Sequence, residues 1–211
     1  MYTFSLQLKG SIISRAERVA QEIQELGADG IDLVQNAGYG VINMNNNDEA
    51  SMQLLFLKTL RRLIPDKTIT YTFPGDNYFG DSYPWIGINY PFLDVIEYGN
   101  QYIDTFNVFR TNYPSESINQ MEEEFGIPKS KIVWGLMIGC NENPHFEDVS
   151  LDTARNIAAK VKEEGYAGVM TWSINRDTDH RVEPKGTCNN LQTGYEDGSY
   201  LQLIKETLQA K

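Results

Sequence analysis

Several features that mark whole classes of protein are scarce or missing in this sequence of 211 residues. No run of 18 apolar residues occurs, so no segment has the composition of a membrane-spanning helix. Two cysteines are too few for a disulfide scaffold or a four-cysteine zinc site. Basic residues number 18 against 29 acidic ones, and the net charge of −11 makes nucleic acid and anionic membranes unfavourable partners.

Motifs for cofactors and for nucleophilic catalysis are also lacking. His145 and His180 do not have metal-ligand spacing, and glycine-rich phosphate loops do not occur, so we expect neither a metal nor a cofactor. Cys140 and Cys188 belong to no cysteine–histidine nucleophile motif, although a single disulfide between them is geometrically feasible. Residues 1–13 do not resemble a secretory signal, and the cellular compartment stays open.

The composition that remains is that of a globular protein, and strand-like and helix-like segments alternate along it. Apolar residues at 41% and charged residues at 22% exclude wholesale disorder. The sequence predicts strands at residues 2–8, 30–35, 68–73, 103–109, 131–138 and 167–173. It predicts helices from an N-cap at Ser14 to Gly27, and at residues 48–63, 92–98, 115–125, 151–163 and 199–208.

Six strands rich in consecutive Val, Ile, Leu and Phe, each followed by a helix, indicate a parallel sheet covered by helices. The strand starts repeat every ~33 residues, so eight units would need about 260 residues, near the ~250 typical of a (β/α)8 barrel. We therefore expect one α/β domain over residues 1–211, of TIM-barrel type and truncated to about six units. A fragment of a longer gene would have the same pattern.

Polar and aromatic residues concentrate where the predicted strands end, which is where barrels and open α/β sheets bind ligands. Aromatic faces beside amides and carboxylates suit a sugar, although composition does not distinguish a sugar from other small polar ligands. The residues are Asp29, Asp32, Asn36, Tyr71, Phe73, Asp76, Asn107, Asn112, Tyr113, Trp172, Asn175 and Asp177.

Four segments resemble glycoside hydrolase family 18, which includes chitinases and endo-N-acetylglucosaminidases. Residues 168–177 (GVMTWSINRD) resemble its closing strand, which usually ends in Trp-Ser-Ile-Asn-Trp-Asp. Residues 26–36 (LGADGIDLVQN) resemble its Asp-Gly-x-Asp-x-Asp-x-Glu strand, and residues 131–136 (KIVWGL) and 103–108 (IDTFNV) resemble two others. The resemblance runs from residue 2 to about 208 and implies that the first two strand–helix units of the family's barrel are missing.

The resemblance also implies that the family's catalytic acid is replaced. Asn36 occupies the position of the general-acid Glu, and Val34 that of the Asp that orients the substrate's acetamido group. An Asn has no proton at a useful pKa, and general acid catalysis is worth ~10²–10⁴-fold. On the next strand but one, Asn112 falls at the Asp of the family's Met-x-Tyr-Asp motif. We therefore expect no catalytic residue among these positions.

These substitutions predict a non-hydrolytic chitinase-like protein that binds N-acetylglucosamine-containing glycans at the carboxyl ends of the strands. The expected glycan contacts are Trp172, Asp32, Asn36, Tyr71, Asn112 and Tyr113. Asp29 and Asp32 also have a structural interpretation, as acceptors for loop amides or as partners of arginine.

Two other functions stay open. The first is a family 18 hydrolase with residual or altered activity that takes its acid from elsewhere, such as Asp76 or Asp177. The second is an assembly or structural protein, because a sheet without its first two strands has two exposed edges, which proteins normally cover. That hypothesis predicts a homodimer or a partner that supplies strands.

Overall fold

A computed structural model of the chain describes residues 9–34, 46–74, 92–109, 115–138, 149–172, 177 and 198–210, and within these ranges strands and helices alternate. The strands are β1 Gly30–Val34, β2 Thr68–Pro74, β3 Thr105–Phe109, β4 Ile132–Met137 and β5 Gly168–Trp172. The helices are α1 Lys9–Glu25, α2 Asn46–Leu63, α3 Phe92–Gly99, α4 Ser115–Glu123, α5 Leu151–Glu164 and α6 Ser199–Gln209. Short 3₁₀ turns at Asn100–Tyr102 and Lys129–Lys131 precede β3 and β4.

The five strands form one parallel sheet in the order β1-β2-β3-β4-β5, curled into a half-barrel with helices on its outside. This confirms the predicted α/β fold of TIM-barrel type. The strand predicted at residues 2–8 lies outside the described residues. The predicted N-cap of the first helix is wrong, because α1 begins at Lys9 and Ser14 is an exposed residue within it. Gly27 does end that helix, with a φ of 62°.

The register of the strands gives the sheet the stagger of a barrel. One row of paired residues crosses all five strands, namely Val34, Thr72, Asn107, Val133 and Gly168. The first strand ends at its member of this row, whereas β5 continues for four more residues to Trp172. Four residues over four strand steps is one residue per step, which matches the shear of about eight in an eight-stranded barrel.

Alternate residues of each strand pack against the helices and form the core. Phe73, Phe106 and Leu136 are fully buried there, together with Leu60 of α2. Burying a large apolar side chain contributes roughly 1.5–3 kcal/mol, so this outer layer supplies most of the force that holds the sheet. No described helix is long and apolar enough to cross a membrane.

A half-buried arginine, Arg61, links the elements at the amino-terminal end of the sheet. Arg61 donates through Nε to the carbonyl of Tyr102 (3.1 Å) and through Nη1 to that of Lys67 (2.8 Å). Its Nη2 lies 2.6 Å from Asp104 Oδ2, which also accepts the N–H of Ile69 at 2.7 Å. The guanidinium thereby joins α2 to the starts of β2 and β3.

Replacing Arg61 with Ala should lower the free energy of unfolding by about 2 kcal/mol, because the carbonyls of Tyr102, Lys67 and Pro65 and the Asp104 carboxylate lose a charged donor. Urea denaturation measures this. Arg155→Ala is the matched control: Arg155 pairs with Asp152 on an exposed helix surface, and its loss should cost under ~0.5 kcal/mol. Equal effects of the two changes would contradict the role of Arg61.

Candidate functional site

The face of the sheet opposite the helices, here called the inner face, carries the polar residues. Paired residues of neighbouring strands point to the same face, and successive residues of one strand point to opposite faces. The inner face therefore consists of the row of paired residues and every second residue counted from it along each strand. Its members with described side chains are Asp32, Val34, Thr68, Thr70, Thr72, Thr105, Asn107, Val133, Met137, Met170 and Trp172. All of them lie on the inner side of the half-barrel, away from the helices.

A hydrogen-bond network on β1, β2 and β3 is centred on the Asp32 carboxylate. Thr70 Oγ1 donates to Asp32 Oδ1 at 2.6 Å. Thr72 Oγ1 lies 2.7 Å from Oδ1 and 2.9 Å from Oδ2. Asn107 Nδ2 donates to Thr72 Oγ1 at 2.9 Å and approaches Asp32 Oδ1 at 3.4 Å. Three side chains of β2 and β3 thus hold the Asp32 carboxylate of β1 in a fixed orientation.

The direction of these bonds follows from the number of protons available. A threonine hydroxyl has one proton, and Thr72 accepts a bond from Asn107, so its own proton goes to Asp32. Oδ1 of Asp32 therefore receives most of the donation, and Oδ2 receives only its share from Thr72. Each carboxylate oxygen has two acceptor sites. Asp32 is also exposed, so Oδ2 can accept a bond from a ligand.

Two large apolar side chains are exposed on the same face. Trp172 ends β5 and is 52% exposed, and Val34 ends β1 and is 57% exposed. Both lie at the carboxyl ends of their strands, which is where ligands bind in this architecture. A half-exposed indole is suited to stacking on the C–H face of a sugar ring. The geometry therefore combines an aromatic surface with a fixed acceptor.

Tyr71 was predicted to contact a glycan, and the structure contradicts this. Its side chain is 3% exposed and belongs to the helix-facing side of β2, where it packs between Phe73 and Phe106. Its hydroxyl donates to Gln53 of α2 at 3.0 Å. The physical reason is strand alternation: Thr70 and Thr72 point to the inner face, so Tyr71 between them points away from it.

The other predicted residues have varied positions. Asp32 and Trp172 both lie on the inner face. Asp29 is exposed just before β1, and its backbone carbonyl accepts the N–H of Thr68. Asp177 is 2% exposed and accepts the backbone N–H groups of Tyr200 and Leu201, so it caps α6. Outside the described residues lie Asn36, Asp76, Asn112, Tyr113, Asn175, Cys140, Cys188, His145 and His180.

Sequence reasoning missed Thr70 and Thr72. The signal was present in residues 68–73 (TITYTF), where three threonines alternate with three large apolar or aromatic residues. In a strand with one face against helices, the threonines must form the other face. Asn107 was noted as a polar residue near a strand end, without its link to Asp32. Within the described part of the chain, no group of three or more His, Cys, Asp or Glu side chains is placed to hold a metal.

Comparison with known proteins identifies similar folds. No model of a protein family and no curated protein sequence matches this chain. Several solved structures do, among them active domain 2 of the thermostable chitinase from Pyrococcus furiosus, complexed with chito-oligosaccharides. It has a TM-score of 0.68 and 17% identity, and the match covers 94% of this chain and 66% of that one.

Two further chitinases give the same result. A family 18 chitinase from Pseudoalteromonas aurantia has a TM-score of 0.65 and 17% identity, over 93% of this chain and 68% of that one. The Group IV chitinase of Ostrinia furnacalis, in complex with allosamidin, has a TM-score of 0.65 and 12% identity, over 95% and 73%. This chain therefore has the fold of family 18 chitinase catalytic domains and spans about two thirds of their length.

Thr72→Val should lower the free energy of unfolding by about 1–2 kcal/mol, because it removes one donor to Asp32 and leaves Asn107 without its acceptor. Urea denaturation measures the loss. Thr207→Val is the matched control, since that hydroxyl donates only to a carbonyl within α6 and its removal should change stability by under ~0.5 kcal/mol. A Thr72 variant as stable as the wild type would contradict the network.

Proposed function

We propose that this protein binds N-acetylglucosamine-containing glycans along the inner face of its sheet and does not hydrolyse them. The observation that carries the proposal is the exposed indole of Trp172 on the same face as a hydrogen-bonded, solvent-accessible Asp32 carboxylate. The fold of family 18 chitinase domains adds support, because one of the similar domains is described in complex with chito-oligosaccharides and another with allosamidin.

The absence of hydrolysis is proposed from the residues at the end of β1. Val34 is an exposed apolar side chain at the position that the family resemblance assigns to a supporting Asp. Asn36, two residues further along the sequence, replaces the general-acid Glu in the same resemblance. Neither side chain can deliver a proton to a leaving oxygen. Asn36, Asn112 and Tyr113 stay as predicted glycan contacts, beside Trp172 and Asp32.

Trp172→Ala should weaken the binding of chito-oligosaccharides about tenfold or more, because a stacked aromatic side chain dominates a small interface of this kind. Isothermal titration with N-acetylated oligomers measures the affinity, and quenching of tryptophan fluorescence gives an independent readout. Trp134→Phe is the control, since Trp134 is 3% exposed on the helix-facing side of β4 and should not contact the ligand. Absence of both heat and quenching in the wild type would reject glycan binding.

A fluorogenic chitobioside should show no turnover above buffer with the wild-type protein. Val34→Asp combined with Asn36→Glu should bring measurable turnover if only these two groups are missing from the acid machinery, since general acid catalysis is worth ~10²–10⁴-fold. Turnover by the wild type that survives Asn36→Ala would instead favour the alternative, a family 18 hydrolase with altered activity. Asp177 was one of the two acids suggested for that alternative, but both of its carboxylate oxygens accept backbone N–H groups of α6.

An assembly or structural role is the remaining alternative, as a homodimer or with a strand-donating partner. The observation that favours it is that β1 and β5 are the outer strands of the described sheet, each paired on one side by another described strand. Sheet edges of this kind are normally covered. Sedimentation distinguishes the two functions, because a monomer that still binds glycan needs no strand-donating partner.

A further inference from the structure

Among the described residues, the Asp32 carboxylate on the inner face has no positively charged partner. All of its described contacts are neutral: the hydroxyls of Thr70 and Thr72 and the amide of Asn107. None of the ion pairs among the described residues includes it. The described side chains of the inner face include no lysine and no arginine. In the described part of this face, a ligand therefore meets a carboxylate without a counter-charge.

The network around Asp32 offers acceptors rather than donors. The protons of Thr70 and Thr72 are already directed to Asp32, and the amide protons of Asn107 point to Thr72 and Asp32. Two acceptors of this network stay open to a ligand: Oδ2 of Asp32 has one shared donor, and Oδ1 of Asn107 has none from a described residue. The surface is thus complementary to a group rich in N–H donors.

Resting on the proposed function, we infer that the glycan recognised here contains 2-amino sugars with free amines, and that the Asp32 carboxylate binds the ammonium group of one such residue. An ammonium group supplies three donors and the missing positive charge. An acetamido group supplies one N–H donor and no charge, so it leaves the charge of the Asp32 carboxylate without a counter-charge among the described residues. Partially deacetylated chitin has the matching chemistry.

The test compares two ligands of equal length, a fully N-acetylated glucosamine oligomer and its fully deacetylated counterpart, by isothermal titration at one ionic strength. The wild type should bind the deacetylated oligomer about tenfold more tightly, as expected when a charge-assisted hydrogen bond replaces a neutral one. Asp32→Asn should remove that preference, because it should weaken the binding of the deacetylated oligomer about tenfold more than the binding of the acetylated one.

A control is needed because a protein with a net charge of −11 attracts any polycation. Asp152→Asn makes the same change of charge at an exposed position of the helix α5, which is not part of the inner face. It should leave both affinities unchanged. Binding of the acetylated oligomer by the Asp32 variant also shows that this variant is folded, and a wild type without the preference overturns the inference even if the variant fails to fold.

The possible outcomes separate the two proposals. Equal or tighter binding of the acetylated oligomer by the wild type would overturn the amine preference and leave glycan binding intact. A preference that Asp32→Asn and Asp152→Asn reduce equally would also overturn it, because the effect would then come from net charge. Binding of neither oligomer would overturn glycan binding itself. A preference lost only with Asp32 supports the site.

Discussion

Residues paired in register on neighbouring parallel strands must point to the same side of their sheet, and the organisation of this protein follows from that constraint. On the outer side the constraint gathers aromatic and aliphatic residues such as Phe73 and Phe106, which the helices cover. On the inner side it gathers threonines, Asn107 and Asp32 into contact. A shift of one residue in a single strand would exchange the two sets and leave polar groups unsatisfied in the core.

The stability of the fold and the chemistry of the cleft therefore depend on different sides of the same five strands. Burial of the outer side supplies the hydrophobic free energy, which does not depend on a particular ligand. The inner side keeps a carboxylate fixed by neutral donors while its second oxygen stays accessible. An acceptor held in this way binds a donor without first losing conformational entropy, so the strands prepare the site before any ligand arrives.

The periodicity of the sequence was sufficient for the fold, because it reports burial directly. All five described strands lie within two residues of their predicted bounds, as Gly168–Trp172 does against 167–173. The start of α1 was missed because an exposed serine is tolerated inside a helix, where the pattern alone cannot distinguish it from a cap. Tyr71 was misplaced because its polar hydroxyl suggested a ligand, although its strand position required burial against Gln53.

By itself, the sequence determined the order of strands and helices, the single parallel sheet and the position of a tryptophan at the end of the last strand, since these depend on local periodicity and on the identity of neighbouring residues. Only the tertiary structure decided that Asp177 caps a helix and that Asp32, Thr72 and Asn107 share one network. The partners in that network are separated by 35 to 75 positions in the chain. Their contact is created by the register of three strands, a property that no local pattern encodes.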